Sequence, residues 1–227
     1  MALLSTDTNA KTIKGQSFGY LTGILYLISG SGSGRNLCPH ASDGCLLACL
    51  ITAGRGAMAS VHNARLAKTA RFLADREGFA LEIKADVTRL IKSAGKKKMT
   101  PCVRLNGTSD LPWYNIGGIM QSFPSVQFYD YTPNFGRMVQ FLKGELPSNY
   151  HLTFSRKENN DAQCDLILQM GGNVAVVFNE LPTTWKGYPV VNGDKTDLRF
   201  LDGKNVVVGL KAKGKAKNDT SGFVVKI

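Results

Sequence analysis

The chain has 227 residues, 43% hydrophobic and 20% charged. That is enough for one packed domain needing neither disulfides nor metal merely to fold, and it excludes a disordered, collagen-like or coiled-coil chain. Lys and Arg number 28 against 17 Asp and Glu, a formal charge of +11. A surface of that sign favours polyanions such as nucleic acid, nucleotides or an acidic protein, although many basic chains gain only solubility from it.

No run of 18 apolar residues occurs, which excludes a membrane-spanning helix and makes a membrane partner unexpected. Lys11 and Lys14 followed by the apolar run over 20–28 imitate a secretory signal. The run is short, interrupted by Gly23, and rich in aromatic and β-branched residues, so it reads as a buried strand over 23–28 in a cytoplasmic protein. The alternating Ser and Gly of 29–34 form a flexible loop and lack the Gly-Lys-Ser/Thr of a phosphate loop. Further strands are expected over 102–105, 126–131, 151–154, 173–178, 189–191 and 205–210. Helices are expected over 57–74, 78–94, 113–121, 134–143 and 160–170, with Gly95 and Gly171-Gly172 as stop signals. Lys96, Lys97 and Lys98 read as an exposed turn before a strand.

Short strands alternating with helices of this size imply βα units and a mostly parallel sheet. The expected class is therefore α/β, one domain over 1–227, built as a partial or distorted βα barrel, with an open doubly wound sheet as the alternative. In the basic segment 204–227, Lys211, Lys213, Lys215 and Lys217 alternate with small residues and lay one row of charge along an extended stretch. Trp185 and Tyr188 are candidate stacking residues if that surface meets nucleic acid.

Three of the five cysteines fall in the loop 30–56 after the first strand, as Cys38-x6-Cys45-x3-Cys49. If residues 45–49 form a helical turn, two thiols share one face, and the Pro39–Gly44 loop folds Cys38 back against them. Three converging thiolates make a soft-metal site, with an iron–sulfur cluster, zinc, or three buried thiols without metal as the alternatives. The Cys-x2-Cys and His-x3-5-His spacings of structural zinc are absent. Cys102 opens its strand at the opposite end, Cys164 lies in a helical pattern, and His40 reads as readily as a surface residue, so a fourth position is left open.

Polar residues crowd the C-terminal edges of the strands, where a parallel architecture carries its site. Asp110, Asp194 and Lys211 are the expected catalytic residues. Asn106, Thr108, Tyr131, Ser155, Asp197 and Lys213 are the expected ligand-binding residues, around metal ligands Cys38, Cys45 and Cys49. Ordinary turn chemistry is the competing account, as in Asn106-Gly107 and Asn192-Gly193-Asp194.

The segments 38–58, 104–110, 128–132, 149–155 and 197–202 together resemble the gene product eighty-eight-like proteins, a bacteriophage and prophage family. The resemblance runs from about residue 23 to 224 and implies a phage-encoded protein of the bacterial host cytoplasm. Radical SAM enzymes are more distantly similar: they are partial barrels with three cluster cysteines in the loop after the first strand, the position of Cys38, Cys45 and Cys49. The spacing departs from their usual Cys-x3-Cys-x2-Cys, and Asn106-Gly107-Thr108 stands where they carry Gly-Gly-Glu. What the similarity implies is a 4Fe–4S cluster with S-adenosylmethionine or another small-molecule or nucleotide ligand. The alternative is a nucleic-acid-binding or host-protein-modulating phage protein with a structural metal site.

Overall fold

Five strands, buried along most of their length, pair side by side in the order in which they occur along the chain. The computed structural model describes residues 2–7 and 10–227; residues 1, 8 and 9 and the side chain of Lys11 lie outside it. Its strands are β1 (Leu4–Ser5), β2 (Tyr20–Leu25), β3 (Thr100–Arg104), β4 (Gln127–Thr132), β5 (Tyr150–Ser155), β6 (Val174–Phe178), β7 (Thr184–Trp185), β8 (Tyr188–Asn192) and β9 (Val207–Lys211). They form one open mixed sheet in the order β1-β2-β3-β4-β5-β6-β9-β8-β7. Every neighbour from β2 to β8 is parallel, and the short strands β1 and β7 add antiparallel edges. The order β2 to β6 runs without the reversal that defines a doubly wound sheet.

The helices are α1 (Ala10–Gln16), α2 (Asp43–Leu47), α3 (Ala59–Ala74), α4 (Arg76–Lys96), α5 (Phe135–Leu142) and α6 (Asp161–Gln169). Among the described residues, none is long and apolar enough to cross a membrane. In α4 the Asp75 side chain accepts from Gly78 N at 2.9 Å, capping the first turn. Its Phe79, Ile83, Val87, Leu90 and Ala94 recur every three or four residues, so they make one buried stripe. That stripe covers β2 and β3, α5 and α6 cover β4 to β6, and together they bury Val103, Phe128, Leu152, Phe154, Val174 and Val176, which alternate along the strands onto one face. Burial of each large side chain contributes about 2 kcal/mol. The other sheet face buries Cys102 and Tyr129 under Leu198, with Tyr20 and Phe200 beside them.

Two small residues set how closely the strand ends approach. A Cβ at Gly23 would lie 3.1 Å from Leu90 Cδ2 and 3.2 Å from Leu4 Cδ1, so this position belongs inside β2 and does not interrupt it. A Cβ at Gly107 would lie 2.6 Å from both Leu25 O and Tyr26 Cδ1. The loop after β3 therefore rests directly on the end of β2, and Gly107→Ala is expected to destabilise the protein by about 2 kcal/mol through overpacking. Urea unfolding checks this, and an unchanged midpoint would contradict it.

All seven expected strands are present, the first shifted towards its N-terminal side, where Tyr20 pairs with Thr100. The helix expected over 113–121 is only a 3-10 turn, Trp113–Asn115. Gly117 and Gly118, at φ +61° and +58°, break the helical path that the apolar spacing suggested. The lysine row is likewise corrected: β9 ends at Lys211, and Lys215 and Lys217 lie in a 3-10 helix, Gly214–Asn218, entered through Gly214 at φ +55°. Of the exposed turn expected at Lys96–Lys98, Lys97 and Lys98 form the turn, Lys98 at φ +53°, while the exposed Lys96 still ends α4.

Candidate functional site

The cysteine loop leaves the C-terminal end of β2 and is held by the loops after β3 and β5. Leu37 N donates to Gly30 O at 2.9 Å and Asp110 N donates to Leu37 O at 2.8 Å, tying the approach to Cys38 to the β3 loop. Gly30 N donates to Cys38 Sγ at 3.4 Å, and that thiol faces Thr108 O at 3.7 Å. Cys45 lies within α2, whose N-cap Ser42 accepts from Cys45 N at 3.3 Å. Glu158, beyond β5, accepts from Ser42 Oγ and from Gly44 N at 2.9 Å, placing a carboxylate at the start of that helix. The expected shared helical face for Cys45 and Cys49 is not formed. The α2 ladder ends at Leu47, and Cys49 has φ −55° and ψ 141°, an extended backbone that turns the chain into the 3-10 helix Leu50–Thr52.

All five cysteines are free; Cys38, Cys45 and Cys49 are half-buried, while Cys102 and Cys164 are fully buried. Cys102 meets Thr22 Oγ1 at 3.2 Å on the far face of the sheet, and Cys164 packs in the helical core, so neither joins the loop. Burial pushes the Cys38 thiol up to about 11, and the charge of Cys49 adds to the shift. Burial pushes Cys45 up to about 12, with Cys49, Cys38 and Glu158 adding in turn and Lys157 opposing. Cys38 and Cys45 thus both feel the charge of Cys49. Among the described residues no three His, Cys, Asp or Glu side chains are gathered at one point as metal ligands. The donor set is nonetheless soft, half-buried and supplied with a backbone N–H on sulfur, which fits a thiolate-bound metal in chemical kind.

Arg65 escaped the sequence reading. It is 8% exposed, its guanidinium lies 5.3 Å from the Tyr26 ring centroid, and its buried Nε has no hydrogen-bond partner. Burial lowers its pKa, while Tyr26 and Cys49 raise it, placing a buried cation beside the cysteine loop. The signal was a polar stripe: Arg65, Lys68 and Thr69 face inward on α3 with Phe72, while Leu66 faces solvent. Lys68 Nζ donates to Leu3 O at 2.7 Å and Thr69 Oγ1 accepts from Ile28 N at 2.9 Å. Residues that look like a solvated face instead stitch α3 to the start of β1 and to the chain just after β2.

The expected ligand-binding residues divide into separate groups. Thr108 and Asp110 stand beside Cys38. Asp110 is paired with Arg137 and accepts from Thr132 Oγ1 at 2.9 Å, while its buried Oδ2 has no hydrogen-bond partner. Thr108 Oγ1 donates to Leu27 O. Asn106 spends its side chain on its own loop: Oδ1 accepts from Ser109 Oγ and Leu111 N at 2.9 Å and from Trp113 Nε1 at 3.1 Å, while Nδ2 donates to Leu111 O at 2.9 Å. A ligand role for that amide is displaced by a structural one.

Tyr131 and Asp197 meet elsewhere, around Arg104. Arg104 Nη1 donates to Asp197 Oδ2 at 2.8 Å, and its guanidinium lies 4.7 Å from the Tyr131 ring centroid. Asp194, Lys211 and Lys213 form a third group at the end of β9, where Asp194 accepts from Lys211 N at 3.0 Å and from Lys213 Nζ at 2.6 Å. Asp194 thus binds the two lysine positions it was expected to act beside. Ser155 O accepts from Asn160 Nδ2 at 3.1 Å at the start of the β5 loop. His40 Nε2 lies 2.9 Å from Asn134 Nδ2, and His40 O accepts from Lys157 Nζ at 3.0 Å.

Asp130 supplies a pH test of this framework. It accepts from Asn106 N at 2.7 Å and Tyr150 Oη at 3.0 Å, and burial raises its pKa to about 7 despite Arg104. The folded state therefore holds the proton more tightly than the unfolded chain. The stability this confers is full below the ordinary 3.8 and is lost as pH rises to about 7. Relative to wild type, Asp130→Asn is expected to gain of order 4 kcal/mol over that interval. Parallel stability–pH profiles for the two proteins would contradict this.

The sequence profile of one protein family, Gene product 88, matches residues 2–227. The chain belongs to the Gene product 88 family. No curated protein and no solved structure matches the chain. The family match spans the cysteine loop, the Asn106–Asp110 loop and the C-terminal basic segment alike, so these parts belong to one family architecture.

Proposed function

We propose that this member of the Gene product 88 family is a phage iron–sulfur protein with a partial-barrel fold. In it Cys38, Cys45 and Cys49 hold a 4Fe–4S cluster beside a small-molecule or nucleotide ligand, S-adenosylmethionine among the candidates. The observation that carries this reading is the trio of half-buried free thiols in the loop after β2, of which Cys38 and Cys45 are raised by burial and by the charge of Cys49. The sequential parallel run β2 to β6 supports the partial-barrel reading, and the loop opens at the carboxyl ends of those strands, where such folds bind ligands. When bound, the cluster supplies a redox centre and an iron lacking a protein ligand.

The chain's own residues have definable tasks in this scheme. Arg65 offsets the negative charge of the thiolates in a buried setting. Asp110 is oriented by Arg137 and Thr132, leaving Oδ2 to accept a hydrogen bond from a ligand. Gly30 N and Ser42 fix the backbone around Cys38 and Cys45. The test of the ligand is electron paramagnetic resonance of the anaerobically reduced protein with and without S-adenosylmethionine. A perturbed cluster signal is expected, and an unchanged spectrum would remove that ligand from the proposal.

The exposed Lys215 and Lys217, together with the formal charge of +11, favour a second reading in which the surface binds nucleic acid. That reading requires affinity for an oligonucleotide that falls linearly with the logarithm of salt concentration.

A further inference from the structure

The strands that bury Val103, Phe128 and Phe154 under the helices turn polar side chains to the other face of the sheet. Arg104 lies on β3, Tyr131 on β4, and His151 and Thr153 on β5, where Tyr131 stands directly opposite Thr153. The 3-10 helix Arg199–Leu201 lies against β5 on this face. It sets Phe200 edge-on to Tyr20 and Tyr129, with ring centroids 5.1 and 5.4 Å apart. Arg199, in this cover, is 2% exposed; its Nη2 donates to Thr196 O at 2.7 Å, and its Nη1 lies 3.1 Å from Asp202 Oδ2 without a hydrogen bond. Burial raises the Tyr131 pKa, Asp197 adds to the rise, Arg199 and Arg104 oppose it and Asp202 adds again, so one phenol faces charges from both the sheet and its cover. Burial lowers His151 to about 4, with Arg199 adding, which leaves a neutral imidazole at pH 7.

The chain does not satisfy this group by itself. Arg104 Nε, Arg199 Nε and Nη1, Tyr131 Oη, Thr153 Oγ1 and His151 Nε2 are buried atoms without a hydrogen-bond partner among the described residues, as is Asp202 Oδ2. Buried polar atoms are ordinarily paired, so a set this dense on one face suits a partner from outside the chain. The guanidinium nitrogens can only donate, the two hydroxyls can donate, and the ionised Asp202 oxygen alone must accept, so the partner they fit is rich in acceptor oxygens. Arg104 pairs with Asp197 and Arg199 with Asp202, and this balance of charge favours a singly charged oxyanion over a dianion. We infer that this face binds the carboxylate of a small molecule, held by Arg104, Arg199, Tyr131 and Thr153. The inference is independent of the cysteine loop and of any metal there. Entry requires no unfolding, because the Arg104 and Asp202 side chains are 13% and 16% exposed and Tyr131 and His151 are half-buried.

The experiment is isothermal titration of the full chain with sodium acetate and sodium benzoate, with phosphate and chloride as ion controls. Saturable binding of a carboxylate at one site per chain is expected. Tyr131→Phe and Thr153→Val each remove a hydroxyl that bonds to no described residue, so the urea midpoint without carboxylate should stay unchanged or rise. Carboxylate affinity should nonetheless fall about tenfold in each variant, since a charge-assisted hydrogen bond is lost. Alkylation of the buried Cys102, which packs with Tyr129 and Leu198 on the same face, should slow when carboxylate is added, read by peptide mass against Cys164 in the helical core. Affinities equal to wild type in both variants would overturn the inference, as would heats that phosphate and chloride reproduce, which would mark a general ion effect. Wild-type protein that binds neither carboxylate, with both variants unfolding at lower urea, would overturn it in favour of a structural network completed by water.

Discussion

Asn106→Ala is expected to lower stability by about 4 kcal/mol, measured by urea unfolding at neutral pH. The size follows from what the alanine leaves behind. Trp113 is fully buried and loses the acceptor for its indole N–H; Ser109 Oγ and Leu111 N lose theirs; Leu111 O loses a donor. Each stranded buried group costs about 1 to 3 kcal/mol. Asn106→Asp separates these contributions, because it keeps the three accepted bonds while bringing a second carboxylate beside Asp130, which Asn106 Nδ2 approaches at 3.3 Å. That variant should be weak at neutral pH and recover in acid, where protonation relieves the repulsion. An alanine variant within 1 kcal/mol of wild type would show that the amide is not the organiser of this loop.

Cys45→Ala is expected to reduce bound iron by about tenfold after anaerobic reconstitution, since a cluster retained by two thiolates is held far less securely than one retained by three. The fold should survive. Cys45 is only half-buried, and the alanine keeps the α2 backbone that Ser42 and Glu158 cap. Cys102→Ala and Cys164→Ala are the controls, because both side chains lie away from the loop and should leave iron content unchanged. Iron and sulfide in Cys45→Ala equal to wild type would remove this residue from the ligand set.

Strand positions were legible because buried parallel strands leave continuous β-branched and aromatic runs, as in Val174–Phe178. The helices of α3 to α6 were legible from apolar spacing with stops at Gly95 and Gly171-Gly172. The failure over 113–121 had a tertiary cause: Asn106 captures Leu111 and Trp113, and two glycines take left-handed backbone. The strand order beyond β6 was not legible, since local patterns say which segments are strands and not which neighbours they take.

The candidate site was legible in part. Cysteine spacing identified the loop, and strand-end logic placed Thr108 and Asp110 near Cys38. The same logic grouped Tyr131, Asp197, Asp194, Lys211 and Lys213 with them, although Arg104 and Asp194 draw these residues into separate clusters. Being at one edge of a sheet is not proximity: ion pairs between loops decide which side chains meet. Arg65 was hidden for the opposite reason, as a charged residue within a helix reads as solvated until its burial is seen.

The most direct test of the account is the quantity of iron, acid-labile sulfide and zinc per chain in anaerobically purified protein. The account predicts about four iron and four sulfide per chain with little zinc. Iron-free protein carrying about one zinc per chain would contradict it and make the cysteine loop a structural metal site.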